Sequence, residues 1–331
     1  RSMRKIIEDV SWKELVFKIG PLFALIVLSI FLTFASDNFL KFDNIKNILR
    51  QASTTALIAL GMLLVIVTGG IDLSVGPLMA LSMTGMGIFM KLGLVTNPFA
   101  LILICIVVGI AMGTVNGLLL TRLELPHPFI STIGTRNVAR GLALFITGAA
   151  PIIGFGKIIE FPGSQNVAGF PISFLVVIAF YIIVHIMLNY TVLGRQIYSI
   201  GGNKQAARVA GINVKNILTF VYGFSGFMCA IAGIIYIGRV GGALPLAGTT
   251  ADLDSIAGVI IGGASFSGGK GTVWGTMIGV ILISLIRNGL NLLSASSDLQ
   301  FIVIGLVIII AVFADVVRGK VEEKARRLAN A

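Results

Sequence analysis

A helix that crosses the roughly 30 Å hydrocarbon core of a bilayer needs about 20 mostly apolar residues in a row, each adding about 1.5 Å. This chain supplies such runs along almost its whole length. About ten can be read, roughly Lys18 to Phe34, Thr55 to Gly70, Val75 to Met90, Pro98 to Leu120, Phe129 to Thr147, Ile172 to Tyr190, Ile217 to Gly238, Leu253 to Ala264, Thr272 to Asn288 and Phe301 to Val317. The first, fourth, sixth, seventh and tenth are the strongest. The second and third are separated only by Gly69-Gly70-Ile71-Asp72-Leu73-Ser74 and the eighth is short, so eight or nine spans is the competing count. Hydrophobic residues make up 56% and charged residues 12% of the chain, against roughly 25% charged in a soluble domain. A soluble enzyme, a disordered chain and a collagen-like chain are excluded. The expected fold is an all-α polytopic membrane protein.

The net charge of +11 would raise the question of nucleic acid in a soluble protein. Here the placement of the cations answers it. With both termini on the cytoplasmic side, only Lys41, Lys46, Arg50, Lys91, Lys157, Arg239 and Arg287 fall outside, and the other lysines and arginines, Arg136 and Arg140 among them, fall inside. Cytoplasmic segments carry that excess. The charge therefore reads as a topology signal, and no nucleic-acid partner is expected. Arg1 and Ser2 precede Met3 and read as an appended pair. The expected organisation is a cytoplasmic segment 1–17, one transmembrane unit 18–317 and a basic cytoplasmic tail 318–331.

Forty glycines exceed what oily helices need. Small residues let helices approach closely in lipid, as Gly109 with Gly113 and Gly275 with Gly279 would do. Two glycine-rich stretches suggest more, namely helices broken near Gly69–Gly76 (GGIDLSVG) and Gly262–Gly269 (GGASFSGG). Irregular backbone at membrane depth survives only when buried in protein or lining a wet cavity. Their shared Gly-Gly starts and matching Ser74 and Ser267 hint at an internal repeat.

No catalytic constellation is visible. The run ending Gly268-Gly269-Lys270-Gly271-Thr272 lacks the first glycine of a phosphate loop and has Gly271 where Ser or Thr should follow the lysine. Cys105 and Cys229 sit in apolar runs, and His127 and His185 are far apart, so no metal site or cofactor is expected. Asp72 is an acidic group between two apolar runs, and such groups are functional candidates by default. A cap or brace for the third helix, by Asp72 or Ser74, is the competing role. Thr68, Asn116, Asn288 and Asn291 complete the candidates for a solute path, with helix-to-helix hydrogen bonding as their alternative.

The segment 194–215, GRQIYSIGGNKQAARVAGINVK, is the most informative one outside the spans. Asn203 can cap a short helix from Lys204 to Ala210, and Gly211 suits a left-handed stop. Small apolar residues (Ala206, Ala207, Val209, Ala210) among basic ones suit a helix that docks into a groove on another protein, with contact to the membrane surface as the alternative.

Gln205-Ala206-Ala207-Arg208-Val209-Ala210-Gly211 resembles the coupling-helix loop of ABC-importer permeases, with Gln205 where an acidic residue is usual. Thr68-Gly-Gly-Ile-Asp-Leu-Ser74, Phe129-Ile-Ser-Thr-Ile-Gly-Thr135, Tyr198-Ser-Ile-Gly-Gly-Asn203 and Gly262 through Thr272 resemble the ribose-type permease subunits of the branched-chain amino acid/ribose superfamily, in unchanged order. The resemblance implies a path-forming subunit in the bacterial inner membrane. A second permease subunit, two cytoplasmic ATPase subunits and a periplasmic sugar-binding protein would complete the importer. Gly201, Gly202, Asn203, Gln205, Ala206, Ala207, Arg208 and Gly211 would couple it to the ATPase. The solute would be a simple sugar, or alternatively a signalling sugar, nucleoside or branched-chain amino acid; His127 departs from the commoner Pro-Pro-Phe or Pro-Ala-Phe form and weakens the case for ribose itself. A self-contained secondary transporter or channel is the reading from another class, and it would need ion-coupling carboxylates within the spans.

Overall fold

The computed structural model describes residues 20–123 and 125–329, so the N-terminal segment 1–17 and the Arg1-Ser2 pair lie outside the described residues. The apolar runs fold as helices: α1 (Gly20–Ala35), α2 (Phe42–Val67), α3 (Val75–Lys91), α4 (Pro98–Thr121), α5 (Pro128–Thr147), α6 (Lys157–Ser164), α7 (Ile172–Tyr190), α8 (Val192–Gly202), α9 (Lys204–Val209), α10 (Val214–Val240), α11 (Ala251–Ile261), α12 (Val273–Leu292) and α13 (Ser297–Ala329). Six of them, α2, α4, α7, α10, α12 and the first part of α13, are long and apolar enough to cross a membrane. The protein is an all-α polytopic membrane protein.

Where the chain bends, the sequence supplies the device. Asn97 accepts hydrogen bonds from the amides of Phe99 and Ala100, with Pro98 opening α4. His127 does the same for α5, its Nδ1 accepting from the Phe129 amide at 3.1 Å. Thr272 starts α12 by accepting from the Gly275 amide.

Two helices form the centre. α2 packs against α10, α12, α11 and α7, and α10 packs against α4, α2, α6 and α3. Their apolar windows are 83% and 72% buried, against 6% for α13. Close backbone contact replaces the missing hydrophobic drive between helices in lipid. A Cβ on Gly113 would lie 3.0 Å from the Cα of Gly226, and one on Gly279 would run into the Gly258 carbonyl. Gly109 and Gly113 thus seat α4 on α10, and Gly275 and Gly279 seat α12 on α11.

At about 1.5 Å per residue, α10 runs some 40 Å from the α9 end of the bundle to the opposite end. There β4 (Gly242–Ala243) pairs antiparallel with β1 (Ile152–Ile153), and nearby β2 (Asn166–Val167) pairs with β3 (Phe170–Pro171).

Two boundaries and one pair of cations depart from the sequence expectation. α2 starts thirteen residues before Thr55, because its polar first turns satisfy their charges locally: Lys46 pairs with Asp43, and Arg50 donates to the Ser164 carbonyl and to Asn166. The stretch 318–329 continues α13 as helix. Arg136 and Arg140, expected at the inner surface, lie within α5 and reach toward the strand-bearing end, to Asp252 and to the Pro245 carbonyl.

Candidate functional site

The two glycine-rich breaks meet at the α9 end. α2 stops at Val67 and α11 at Ile261, and the chain turns through Gly69 (φ +77°) and Gly263 (φ +93°), a backbone region where only glycine sits without strain. The Gly269 amide then donates to the Val67 carbonyl at 2.8 Å, joining the breaks directly. α8 closes over this joint. Gly201 lies against Val67 and Gly269, and the Tyr198 hydroxyl donates to the Gly271 carbonyl at 2.8 Å.

Beyond Gly202, Asn203 caps α9 as its sequence suggests, accepting from the Ala206 amide at 2.9 Å, and Gly211 turns the chain at φ +85°. Gly202, Asn203, Gln205, Ala206, Arg208 and Gly211 are exposed. Ala207 is not. At 4% exposure it packs on Ile200, Val214 and Leu218 and so seats α9 on its own chain. Val209, 90% exposed, is the apolar side chain α9 does present. An Ala207→Trp chain should therefore unseat α9, at an overpacking cost of about 1–3 kcal/mol. Faster proteolysis within residues 203–211, with the spans still protected, is the expected readout.

A cavity of about 720 Å³ opens beside α9, lined by Thr68, Gly70, His127, Arg208, Lys215 and Tyr222 among others. At the far end of the same central helix, a cavity of about 190 Å³ is lined by Gln51, Thr54, Tyr236, Arg239, Thr250 and Arg287 among others. Between them α2 is packed on all sides. Residues Ala59 through Val67 are all buried and apolar over about 14 Å of helix.

The other path candidates are drawn into hydrogen bonds within the protein. Asp72 is fully buried; one carboxyl oxygen accepts from the Ser74 amide (3.0 Å) and hydroxyl (2.5 Å), the other from the Ser225 hydroxyl (3.0 Å). Ser74 in turn accepts from Asn116 at 2.7 Å, and Asn116 accepts from Thr135. This chain of bonds ties the first break to α4, α5 and α10. Ser74 itself makes no side-chain cap on α3. Asn288 and Asn44 exchange amide hydrogen bonds at 2.8 and 3.1 Å, and Asn291 accepts from Gln300. Of the six path candidates, only Thr68 lines either cavity.

Two acidic residues on α11 escaped the sequence reading. Asp252 pairs with Arg136 at 2.5 Å, and Asp254 takes Arg287 through both oxygens at 2.6 and 2.8 Å. Their spacing in a short apolar helix was the available signal; the cations that answer them lie more than thirty residues away. Among the described residues no group of three His, Cys, Asp or Glu side chains is placed to hold a metal.

The model of the family described as branched-chain amino acid transport system / permease component matches residues 44–312, most of the chain and both glycine-rich breaks with α8 and α9. The chain belongs to this permease family. The permease is 41% identical to the ribose import permease protein RbsC of Bacillus subtilis (strain 168) over 90% of its own length and 92% of that protein's. It is 38% identical to the D-allose transport system permease protein AlsC of Escherichia coli (strain K12), over 90% of the permease and 91% of AlsC. Similarity to the galactose/methyl galactoside import permease protein MglC of Salmonella typhimurium is 36%, over 89% and 93%. No solved structure matches.

Proposed function

We propose that this chain is the path-forming subunit of an ATP-driven sugar importer, taking a ribose-like pentose or a hexose from a periplasmic binding protein. ABC importer permeases work with an ATPase and a binding protein, and ATP hydrolysis is assigned here to the separate ATPase subunits. The full assembly holds two copies of this permease and two ATPases in the bacterial inner membrane. About ten crossings, with α3, α5, α11 and α1 as shorter spans, put both termini and α9 in the cytoplasm. The basic residues of α8, α9 and the 318–331 tail support that orientation. Residues 18–317 act as one transmembrane unit, and the paired glycine breaks remain a candidate internal repeat.

The observation that carries the reading is the seat of α9. A short capped helix, exposed at Val209, continues directly from the Gly201 contact that touches both breaks. Gly201, Gly202, Asn203, Gln205, Ala206, Arg208 and Gly211 then carry ATPase motion into the backbone around Thr68. Names of the relatives, three of them sugar permeases, support the solute class.

Val209→Asp should weaken co-purification of the ATPase by about 30-fold, the loss expected of one interface anchor, with membrane insertion unchanged. Uptake of ribose, allose and galactose by cells expressing the intact importer tests the solute. Uptake of leucine instead would move the assignment to amino acids. Transport driven by an ion gradient, with no ATPase retained, would overturn the importer reading altogether.

A further inference from the structure

The cavity at the end opposite α9 has the chemistry of a binding site, and its polar groups are only partly used by the protein. Thr54 is 7% exposed, lines the cavity, and its hydroxyl oxygen is buried with no hydrogen-bond partner. The Nε of Arg287 is likewise buried and unpartnered, while its terminal nitrogen is held by Asp254 and Thr250. Buried polar atoms without partners are rare, and each one calls for a water or ligand to answer it. Arg239 also lines the cavity, with its guanidinium 5.4 Å from the centre of the Tyr236 ring. Gln51 adds an amide that can both donate and accept. The floor is apolar, formed by Ile58 and Met79.

Hydroxyl, amide and guanidinium groups around one aromatic face match a polyhydroxylated ring, which offers donors and acceptors at its rim and C–H groups on its faces. A branched aliphatic side chain would leave these groups unanswered. The volume of about 190 Å³ suits a single monosaccharide. The site also lies on α2 next to the fully packed stretch Ala59 to Val67, so no open passage leads from it along that helix.

We infer that this cavity, through Thr54, Gln51, Arg239 and Tyr236, is the sugar-binding station of the outward-facing half of the path. The inference rests on the sugar-importer reading. Arg287, fixed by Asp254, lines the same cavity with its Nε unpartnered.

The test uses cells carrying the complete importer and measures uptake of ribose, allose and galactose. Thr54→Val keeps the shape and deletes the hydroxyl; Arg239→Gln, at an exposed position, removes the guanidinium. Each should lower maximal uptake about three- to tenfold, the worth of one hydrogen bond at the bound sugar. Thr54→Ser should restore it. Thermal stability of the purified Thr54→Val chain should hold or rise, because an unanswered buried hydroxyl has been removed; a brace would instead lose stability. Wild-type uptake with both variants unchanged would overturn the site alone. Wild-type failure on all three sugars would overturn the sugar reading and this station with it.

Discussion

A Gly201→Val chain is expected to insert into the membrane normally and to lose transport by about 100-fold or more, the equivalent of roughly 3 kcal/mol. At Gly201 the backbone of α8 rests directly on the Val67 carbonyl and the Gly269 amide, the pair that joins the two breaks. A Cβ there has no room. The valine must lift α8 off the joint or pull Gly269 from Val67, and either movement separates α9 from the backbone beside Thr68. The neighbouring residue supplies the control. A Cβ on Gly202 would meet nothing within 4 Å, so Gly202→Val leaves the joint intact and should keep clearly more transport than Gly201→Val, any loss coming from its own contact with the ATPase. Equal uptake by the two variants would show that the α8 contact carries no motion.

The second large effect is expected at Asp72. Three donors converge on its two oxygens from within a fully buried pocket. Asn in its place keeps one acceptor oxygen and turns an NH₂ toward the other side, so at least one buried donor loses its partner. Each such loss costs about 1–3 kcal/mol. Asp72→Asn should therefore lower the yield of folded protein and its melting temperature, and adding Ser225→Ala should recover part of that loss by deleting the donor left facing the amide. Normal folding with an altered dependence on the transported solute would instead make Asp72 a path residue.

The helices were legible because lipid imposes a length and a composition, and the glycine pairs because close packing leaves a spacing of four. The cap at Asn203 and the stop at Gly211 were legible for the same reason, since each depends on its immediate neighbours. What the sequence hid depends on partners distant along the chain. Ala207 looks as available as Ala206 in a string of small residues, and only the seat formed by Ile200, Val214 and Leu218 separates them. Asp252 and Asp254 find their arginines on α5 and α12. Thr54 sits among Ser53 and Thr55 with nothing local to mark its hydroxyl as unanswered. Two-residue strands such as β1 and β4 leave no periodicity to read.

The dry stretch of α2 from Ala59 to Val67 has an electrical consequence. With no ionisable group and no exposed atom to carry a file of water, it offers protons no relay across the middle of the helix.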